Sequence, residues 1–423
     1  MSFAALPFPP STPVYPTAKV VEDYLDLFVI HFNLSSNIQL NTTVERLERD
    51  ETNSFWRVRL SGPGYGNEWL RFDKVVVANG HYRYPWFPNI PGLDEWLAAG
   101  KVTHSARYRR PVDFGSTPLV VGGGPSGRDI ATEIADQPST SVIYFSVTEP
   151  PPNPHRNSKL QYRVRVAEFL PLDGKGKGKV RYEDGGEDEV DSCILATGYK
   201  MAFPFLSDSL IQTSLPPTPI PPIPKDKLYN STYHVFPLIK HLFPITDKYP
   251  PTSLAFPGLL IRVVPFPLVE AQSHAMVKLW TSPELLDVDA EVGAIISRYE
   301  RLKDKFEGNE FRVAKRYFRF DPQEQFRYRD ELYTLAYGED KETLKKYLTP
   351  GWQEEMYSHK NLLETEWEML ERTGEAEDFV KGVGEASNDE WEGLMHKLLE
   401  RVLRKGELSE TDEGGQANPV LYF

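Results

Sequence analysis

Pro118-Leu-Val-Val-Gly122-Gly-Gly124-Pro-Ser-Gly127-Arg-Asp-Ile-Ala-Thr-Glu-Ile-Ala135 decides the fold. A short apolar run leads into G-x-G-x-x-G, and Ile130, Ala131, Ile134 and Ala135 then recur at helical spacing. Strand, glycine loop and helix start follow one another in the order a dinucleotide-binding βαβ unit requires. Gly122 allows the tight turn, Gly124 lets the backbone approach a pyrophosphate, and Gly127 lets helix and strand pack closely. Free N–H groups at the helix start would face the anion. A surface turn could carry the same glycines, but not this flanking strand and helix. No comparable loop precedes this one.

Downstream, Ser141-Val-Ile-Tyr-Phe-Ser146 reads as the second strand of the unit. In the simple fingerprint an acidic residue near its end binds the ribose 2′-OH and selects NAD. Here the strand ends in Ser146, with Glu149 a little later and His155, Arg156 and Lys159 beyond. Serine with nearby cations fits a 2′-phosphate, hence NADP, whereas Glu149 argues for NAD. Upstream, Phe72 to Ala78 is a buried strand that empties into Asn79-Gly80-His81-Tyr82. Ser192-Cys-Ile-Leu-Ala-Thr197-Gly198-Tyr199 echoes it, which hints at two related sheets. A third strand, Ser253 to Phe256, runs into Gly258 and then a helix Leu268–Trp280 with Pro267 in its first turn. That helix N-terminus is a second place for an anion or a reduced ring.

The remaining chain carries less chemistry. Val20, Val21, Tyr24, Leu25, Phe28, Val29 and Phe32 mark a buried helix face near the N-terminus. Residues 38–49 and 55–60 read as strands, and Leu215 to Pro224 as a proline-rich linker or wrapping loop. From about 283 onward the chain is helical and charged, with helices expected at 340–347, 351–372 and 388–404 and a disordered acidic tail after Gly406.

Composition bounds the function. The 423 residues allow two or three domains, and 40% hydrophobic residues fill a sizeable core. With 48 basic against 61 acidic residues the net charge is −13, which argues against nucleic acid or an anionic membrane as a partner. Cys193 is the single cysteine, so an intramolecular disulfide, a Cys-rich metal site and a dithiol redox pair are all excluded. A reducing, cytoplasmic setting is expected, with no transmembrane segment and no signal peptide.

Five segments together resemble the flavin-containing monooxygenase family, fungal branch, over roughly residues 5–300. They are Asn79-Gly-His-Tyr with Pro85, Pro88 and Pro91-Gly92; Gly100-x-x-x-His104-Ser-x-x-Tyr108; the Gly122–Gly127 loop with Asp129-Ile-Ala; Leu195-Ala-Thr-Gly-Tyr199; and Leu254-Ala-Phe-Pro-Gly-Leu through Gln272. Tyr108, where related Baeyer–Villiger enzymes have Trp, favours this family, and Ala98 departs from its usual Phe. The family's own first FAD loop, also G-x-G-x-x-G, and an Asn-bearing segment after it have no counterpart in this sequence. The dithiol of a pyridine-nucleotide disulfide reductase is missing as well.

The resemblance implies an α/β fold of two Rossmann-like domains, the NADP domain inserted in an incomplete FAD domain, plus a helical C-terminal extension. Residues 1–108 and 206–285 would be FAD-domain pieces, 109–205 the NADP-binding insert, 286–405 the helical extension and 406–423 the tail. Gly122, Gly124, Ser126, Gly127, Asp129, Ser146 and Arg156 would bind NADP. Asn79, Gly80, His81, Thr197, Gly198 and Tyr199 would lie near flavin and nicotinamide. Gly258, Pro267 and Gln272 would face the FAD. For His81 and His104 the plain alternative is a satisfied structural histidine, for Tyr82 and Tyr199 packing. The implied reaction is oxygenation of a soft nitrogen or sulfur nucleophile with FAD, NADPH and O2, of the N,N-dimethylaniline monooxygenase type. Its rival is a catalytically inactive NADP-binding relative acting as an interaction module. Either form is compatible with a homo-oligomer.

Overall fold

The structure, a computed structural model, describes residues 2–412 except 51, 53, 67, 150–157 and 175, with the backbone alone for 406–412. Arg156 and His155 therefore lie outside the described residues. The chain forms two compact units, one of Asn79–Ala202 and one of the chain before and after it. In chain order, the elements that build the two candidate sites are α1 (Ala18–His31), β1 (Val75–Val76), β2 (Val102–His104), β3 (Leu119–Val121), α2 (Pro125–Ala135), β4 (Ile143–Ser146), β5 (Leu160–Arg163), β6 (Cys193–Leu195), β7 (Leu254–Ala255), α3 (Pro265–Thr281) and α4 (Glu324–Tyr337).

The Asn79–Ala202 unit is a parallel sheet of order β2-β6-β3-β4-β5. Its strands β3 and β6 are apolar and buried on both faces because both faces are covered. Alternation sorts the side chains. Val120 and Ile194 join Ile130, Ala131, Ile134 and Ala135 of α2 in one cluster. Leu119, Val121, Cys193 and Leu195 join Trp96, Val166, Phe169, Val180 and Tyr182 in the other. Those last four belong to a small antiparallel sheet, Val166–Phe169, Gly178–Tyr182 and Glu187–Val190, that lids the second face. The unit begins at Asn79 rather than near 109, since β2 pairs with β6 and Trp96 is buried in this core. Residues 79–108 thus fold with 109–202, not with the chain before them, and residues 203–205 belong to the other unit. Cys193 is fully buried and burial pushes its thiol pKa up, so it is an inert core group.

The other unit holds an antiparallel sheet of Thr43–Asp50, Phe55–Ser61 and Trp69–Phe72, and a second sheet of only two strands, β1 and β7, in parallel register. Leu254 and Ala255 of β7 are buried, whereas Val76 on β1 is 38% exposed. The face predicted buried on α1 is mostly not. Tyr24 alone is buried, ringed by Phe3, Phe8 and Phe266, while Val20, Val21, Phe28 and Val29 are half-buried and Leu25 and Phe32 exposed. Only the edge of α1 that carries Tyr24 and Phe28 meets other described residues through its rings.

The helices Leu93–Ala98, Glu310–Tyr317, α4 and Ala376–Val380 have no counterpart among the ranges expected from the sequence. The expected 351–372 helix breaks at His359 into Gly351–Ser358 and Lys360–Thr373. The last helix, Asp389–Asp412, runs through the start of the segment expected to be disordered, and the rest of that tail lies outside the described residues. These late helices share a core with the N-terminal segment. Val14 packs on the cluster of Trp367, Leu370, Leu394 and Leu398, and the Ser11 N–H donates to the Val383 carbonyl at 2.9 Å.

His234 offers a direct test of this packing. It is fully buried among Phe236, Tyr317 and Phe318, its Nδ1 lies 2.6 Å from Ser231 Oγ, and burial pushes its pKa down from 6.5 to about 3. In that window the unfolded chain binds a proton that the folded chain refuses. The stabilisation from keeping this ring neutral is complete above pH 6.5 and is lost as pH falls towards 3. Urea unfolding of His234→Asn at stepped pH should show a slope shallower than wild type by about 1.4 kcal/mol per pH unit below the unfolded-state pKa. Equal slopes would contradict the burial assigned to this ring.

Candidate functional site

The glycine loop leaves the C-terminal end of β3, and Ala196-Thr197-Gly198 leaves the same end of β6, its direct neighbour. From β3 the chain proceeds by α2 to β4 on one side, while β6 lies on the other. This is the switch point of the sheet, where open α/β folds bind ligands.

The three fingerprint glycines are not equivalent. A Cβ on Gly127 would stand 1.8 Å from the Gly122 carbonyl oxygen. On Gly122, which has φ +118, it would stand 2.3 Å from the Ala196 carbonyl oxygen. Both glycines are required by the fold. Gly124 is different, because a Cβ there meets nothing within 4 Å. Gly124 is the N-cap of α2, and Pro125 follows it at the first helical position. The open space over Gly124 therefore sits at the N-terminal end of the helix dipole, beside the first-turn amides. Ser126 and Asp129 are exposed on the same turn and the next.

Residues from three distant segments meet beside this loop. Thr197 Oγ1 donates to the Trp86 carbonyl at 2.5 Å, and the Trp86 N–H donates to the Gly198 carbonyl at 2.9 Å. Tyr84–Pro85 pairs with Tyr199–Lys200 as a two-stranded antiparallel ribbon. The two echoing segments are thus clasped together. Their rings form a continuous ladder, His81–Tyr82–Tyr199–His104–Phe87, with centroid separations of 4.2 to 5.4 Å. Tyr82, at 65% exposure, is its most open member. Gly80 and Gly198 hold matching left-handed conformations, φ +68 and +88, with open space where a Cβ would sit. Asn79 Nδ2 donates to the Ala202 carbonyl at 3.2 Å, which ties the two ends of the unit.

His104 is structural. Its Nδ1 accepts the Ala106 N–H at 3.1 Å, so the proton of the neutral ring is on Nε2, and burial holds its pKa below 6.5. It orients the turn before Tyr108, whose hydroxyl donates to Glu133 of α2 at 2.7 Å.

At the end of β4 the structure corrects the sequence. Ser146 is 2% exposed, and its hydroxyl donates to the Val164 carbonyl at 2.9 Å, so it faces into the fold. Lys159 donates to the Gln137 carbonyl at 2.8 Å. Arg165 was not marked in the sequence. It is exposed, and its Nε donates to Thr148 Oγ1 at 3.2 Å, two residues beyond β4. Arg163, by contrast, is committed to Asp188 through a 2.6 Å ion pair. The signal missed was parallel pairing: β5 runs beside β4 in the same direction, Ser146 opposite Arg163, so Arg165 emerges at the same end as Thr148.

The other unit contains the residues assigned to FAD. Gly258 has φ +75, and its N–H donates to Gln272 Oε1 at 2.9 Å. Gln272 is fully buried, and its Nε2 donates to the Tyr328 hydroxyl at 2.9 Å. Both ends of its amide serve the protein, so Gln272 shapes the Gly258 turn from beneath. Helix α3 starts at Pro265, and Pro267 is its third residue. Two of its first amides are prolines without N–H, and the Val264 N–H is capped by Gln325 Oε1 at 2.7 Å. Phe266 keeps the remaining donor. Such a terminus offers a dipole and one hydrogen bond, which suits the edge of an electron-rich ring better than a phosphate.

Among the described residues no helix is long and apolar enough to cross a membrane, and no cluster of His, Cys, Asp and Glu could hold a metal ion.

Known proteins agree with this architecture. The flavin-binding monooxygenase-like family model matches residues 1–149. Flavin-containing monooxygenase FMO GS-OX-like 7 of Arabidopsis thaliana is 31% identical over 267 residues, covering 61% of this chain and 51% of that protein. The thiol-specific monooxygenase of Saccharomyces cerevisiae is 29% identical over 284 residues, covering 66% of this chain and 62% of that protein. The chain thus spans about half to three-fifths of these relatives' length. In fold it is similar to S-allyl-L-cysteine S-oxygenase from Allium sativum, with a TM-score of 0.67 and 24% identity over 96% of this chain and 82% of that one. Tmm from Pelagibacter sp. superposes with a TM-score of 0.58 at 22% identity, over 84% of this chain and 73% of that one. Residues 1–149 thus carry the match to the flavin-binding monooxygenase-like family, and the curated relatives extend that likeness over about three-fifths of the chain.

Proposed function

We propose that this protein is an FAD- and NADPH-dependent monooxygenase acting on a soft nucleophile, sulfur before nitrogen. The observation that carries the reading is the vacant Cβ position of Gly124, set between two glycines whose own Cβ positions are filled by protein. Such a cradle fits a dinucleotide pyrophosphate. Gly122, Gly124, Ser126, Gly127 and Asp129 would form the NADP loop. Arg165 with Thr148 would take the 2′-phosphate role expected of Ser146, whose hydroxyl faces into the fold, and Arg156 lies outside the described residues. Asn79, Gly80, His81, Thr197, Gly198 and Tyr199 would line the nicotinamide end. Gly258 and the first turn of α3 would meet the flavin. Bound FAD, reduced by NADPH, would supply the oxygen chemistry. The preference for sulfur comes from the relatives' names, thiol-specific monooxygenase and S-allyl-L-cysteine S-oxygenase.

The second reading, an NADP-binding relative without oxygenase chemistry, draws on one observation. The sheet of β1 and β7 has two strands, and on β1 Val75 is half-buried and Val76 exposed. Parallel sheets are stable when buried, so this unit offers FAD a smaller platform than the other offers NADP. Purified chain mixed with FAD decides between them. A flavin band near 450 nm that survives gel filtration, with NADPH oxidation accelerated by a thiol or thioether, is expected of the oxygenase. Free FAD eluting apart from the protein would remove that reading for this chain.

Two substitutions test the NADP site. The Cβ of Gly124→Val meets no protein atom within 4 Å, so its unfolding free energy should stay close to wild type, within about 1 kcal/mol for the poorer N-cap residue. Its NADPH binding, followed by titration calorimetry, should be lost. Arg165→Ala should weaken NADPH by about 10- to 100-fold and leave NADH unchanged. Equal losses for both nucleotides would move the 2′-phosphate elsewhere.

A further inference from the structure

The segment Gly258-Leu-Leu-Ile-Arg-Val-Val264, which enters α3, is held by side chains and backbone from far downstream. At its first end, the Gly258 N–H donates to Gln272, Gln272 donates to the Tyr328 hydroxyl, and that hydroxyl donates to the Lys240 carbonyl at 2.7 Å. At its last end, the Val264 N–H donates to Gln325 Oε1 at 2.7 Å, and Gln325 Nε2 donates to the Pro322 carbonyl at 3.1 Å. Between them the Ile261 N–H donates to the Phe318 carbonyl at 2.8 Å. The Tyr357 hydroxyl donates to the Arg262 carbonyl at 3.3 Å.

Three features make this more than ordinary packing. Gln325 and Tyr328 stand three residues apart on α4, hence on one face, and each holds one end of the same segment. Gln272, Gln325 and Tyr328 are 0%, 1% and 7% exposed, so no water replaces a lost partner cheaply. Arg262 keeps a left-handed φ of +63, a conformation that persists only where its surroundings over-determine it. The phenol suits the middle position because it accepts from Gln272 and donates to Lys240 at once. Burial pushes its pKa up, so it keeps the proton it donates.

We propose that α4 is the positioning element of the Gly258–Val264 segment, with Tyr328 and Gln325 as positioning residues that set the Gly258 turn and the start of α3. The inference rests on the proposed function in one respect, that this segment is the flavin-facing one. The C-terminal helices, which carry no chemistry of their own, would then belong to the cofactor site.

Tyr328→Phe in the full chain tests it, with Leu332→Val as a control that loosens the same helix from a fully buried apolar position. In the chain without added FAD, amide hydrogen exchange of residues 257–264 should quicken about tenfold in Tyr328→Phe, the worth of one buried hydrogen bond. The control should leave that segment near its wild-type rate. FAD affinity, read by quenching of flavin fluorescence, should fall about tenfold in Tyr328→Phe and hold in the control. Unchanged exchange in Tyr328→Phe, or an equal rise in the control, overturns the proposal. Faster exchange with FAD affinity intact overturns the role in cofactor binding. A wild-type chain that takes up no FAD removes the flavin reading of the segment, while the exchange comparison still decides whether α4 positions it.

Discussion

The Gly122 carbonyl oxygen occupies the place where a side chain on residue 127 would begin. Much of the Asn79–Ala202 unit depends on that contact. It lets α2 lie against the end of β3 closely enough for Ile130, Ala131 and Ile134 to reach Val120 and Ile194. Those contacts cover one face of the sheet, and a parallel sheet needs both faces covered. The matching contact of Gly122 with the Ala196 carbonyl brings β6 and its Thr197-Gly198-Tyr199 loop against the glycine loop. One pair of close backbone approaches therefore sets the helix, the neighbouring strand and the mouth of the site.

The glycine loop was legible in the sequence because its requirements are local. A turn, a close approach and a helix start lie within ten residues, each with its own residue type. The echo between Asn79-Gly-His-Tyr82 and Ala196-Thr-Gly-Tyr199 was legible for the same reason, though not that the two would clasp through Trp86. What failed was non-local. Ser146 looked available because it ends a strand, but a strand end says nothing of where the hydroxyl points, and Val164 accepts it. Gln272 looked like a ligand contact because it follows the Gly258 segment, yet its partners are Gly258 and Tyr328. The apolar face of α1 predicted burial, but periodicity gives only the capacity to be buried. Burial also needs a partner surface, and among the described residues just the Tyr24 and Phe28 edge has rings against it.

The helical third of the chain shows how composition misleads. Its charge and helical periodicity read as a helical extension that carries little chemistry. Yet it contributes buried polar residues, Gln325, Arg329 and Glu366, and these occur where a fold needs specific partners rather than generic cover. Glu366 receives Lys405 at 2.7 Å and Arg401 at 2.9 Å, which ties the last helix to the Lys360–Thr373 helix. The Val14 and Ser11 contacts tie that bundle to the start of the chain. Deleting the C-terminal third would therefore uncover the N-terminal segment as well.

The unequal glycines also bear on how this architecture could decay. Gly122 and Gly127 answer to backbone atoms of the protein itself, so any descendant that keeps the sheet must keep both, whether or not it holds a nucleotide. Gly124 answers to nothing in the protein. A lineage that abandoned the nucleotide could fill that position freely and still display two-thirds of the fingerprint. The middle glycine, not the motif as a whole, is thus the position at which a working site and its relic can be told apart.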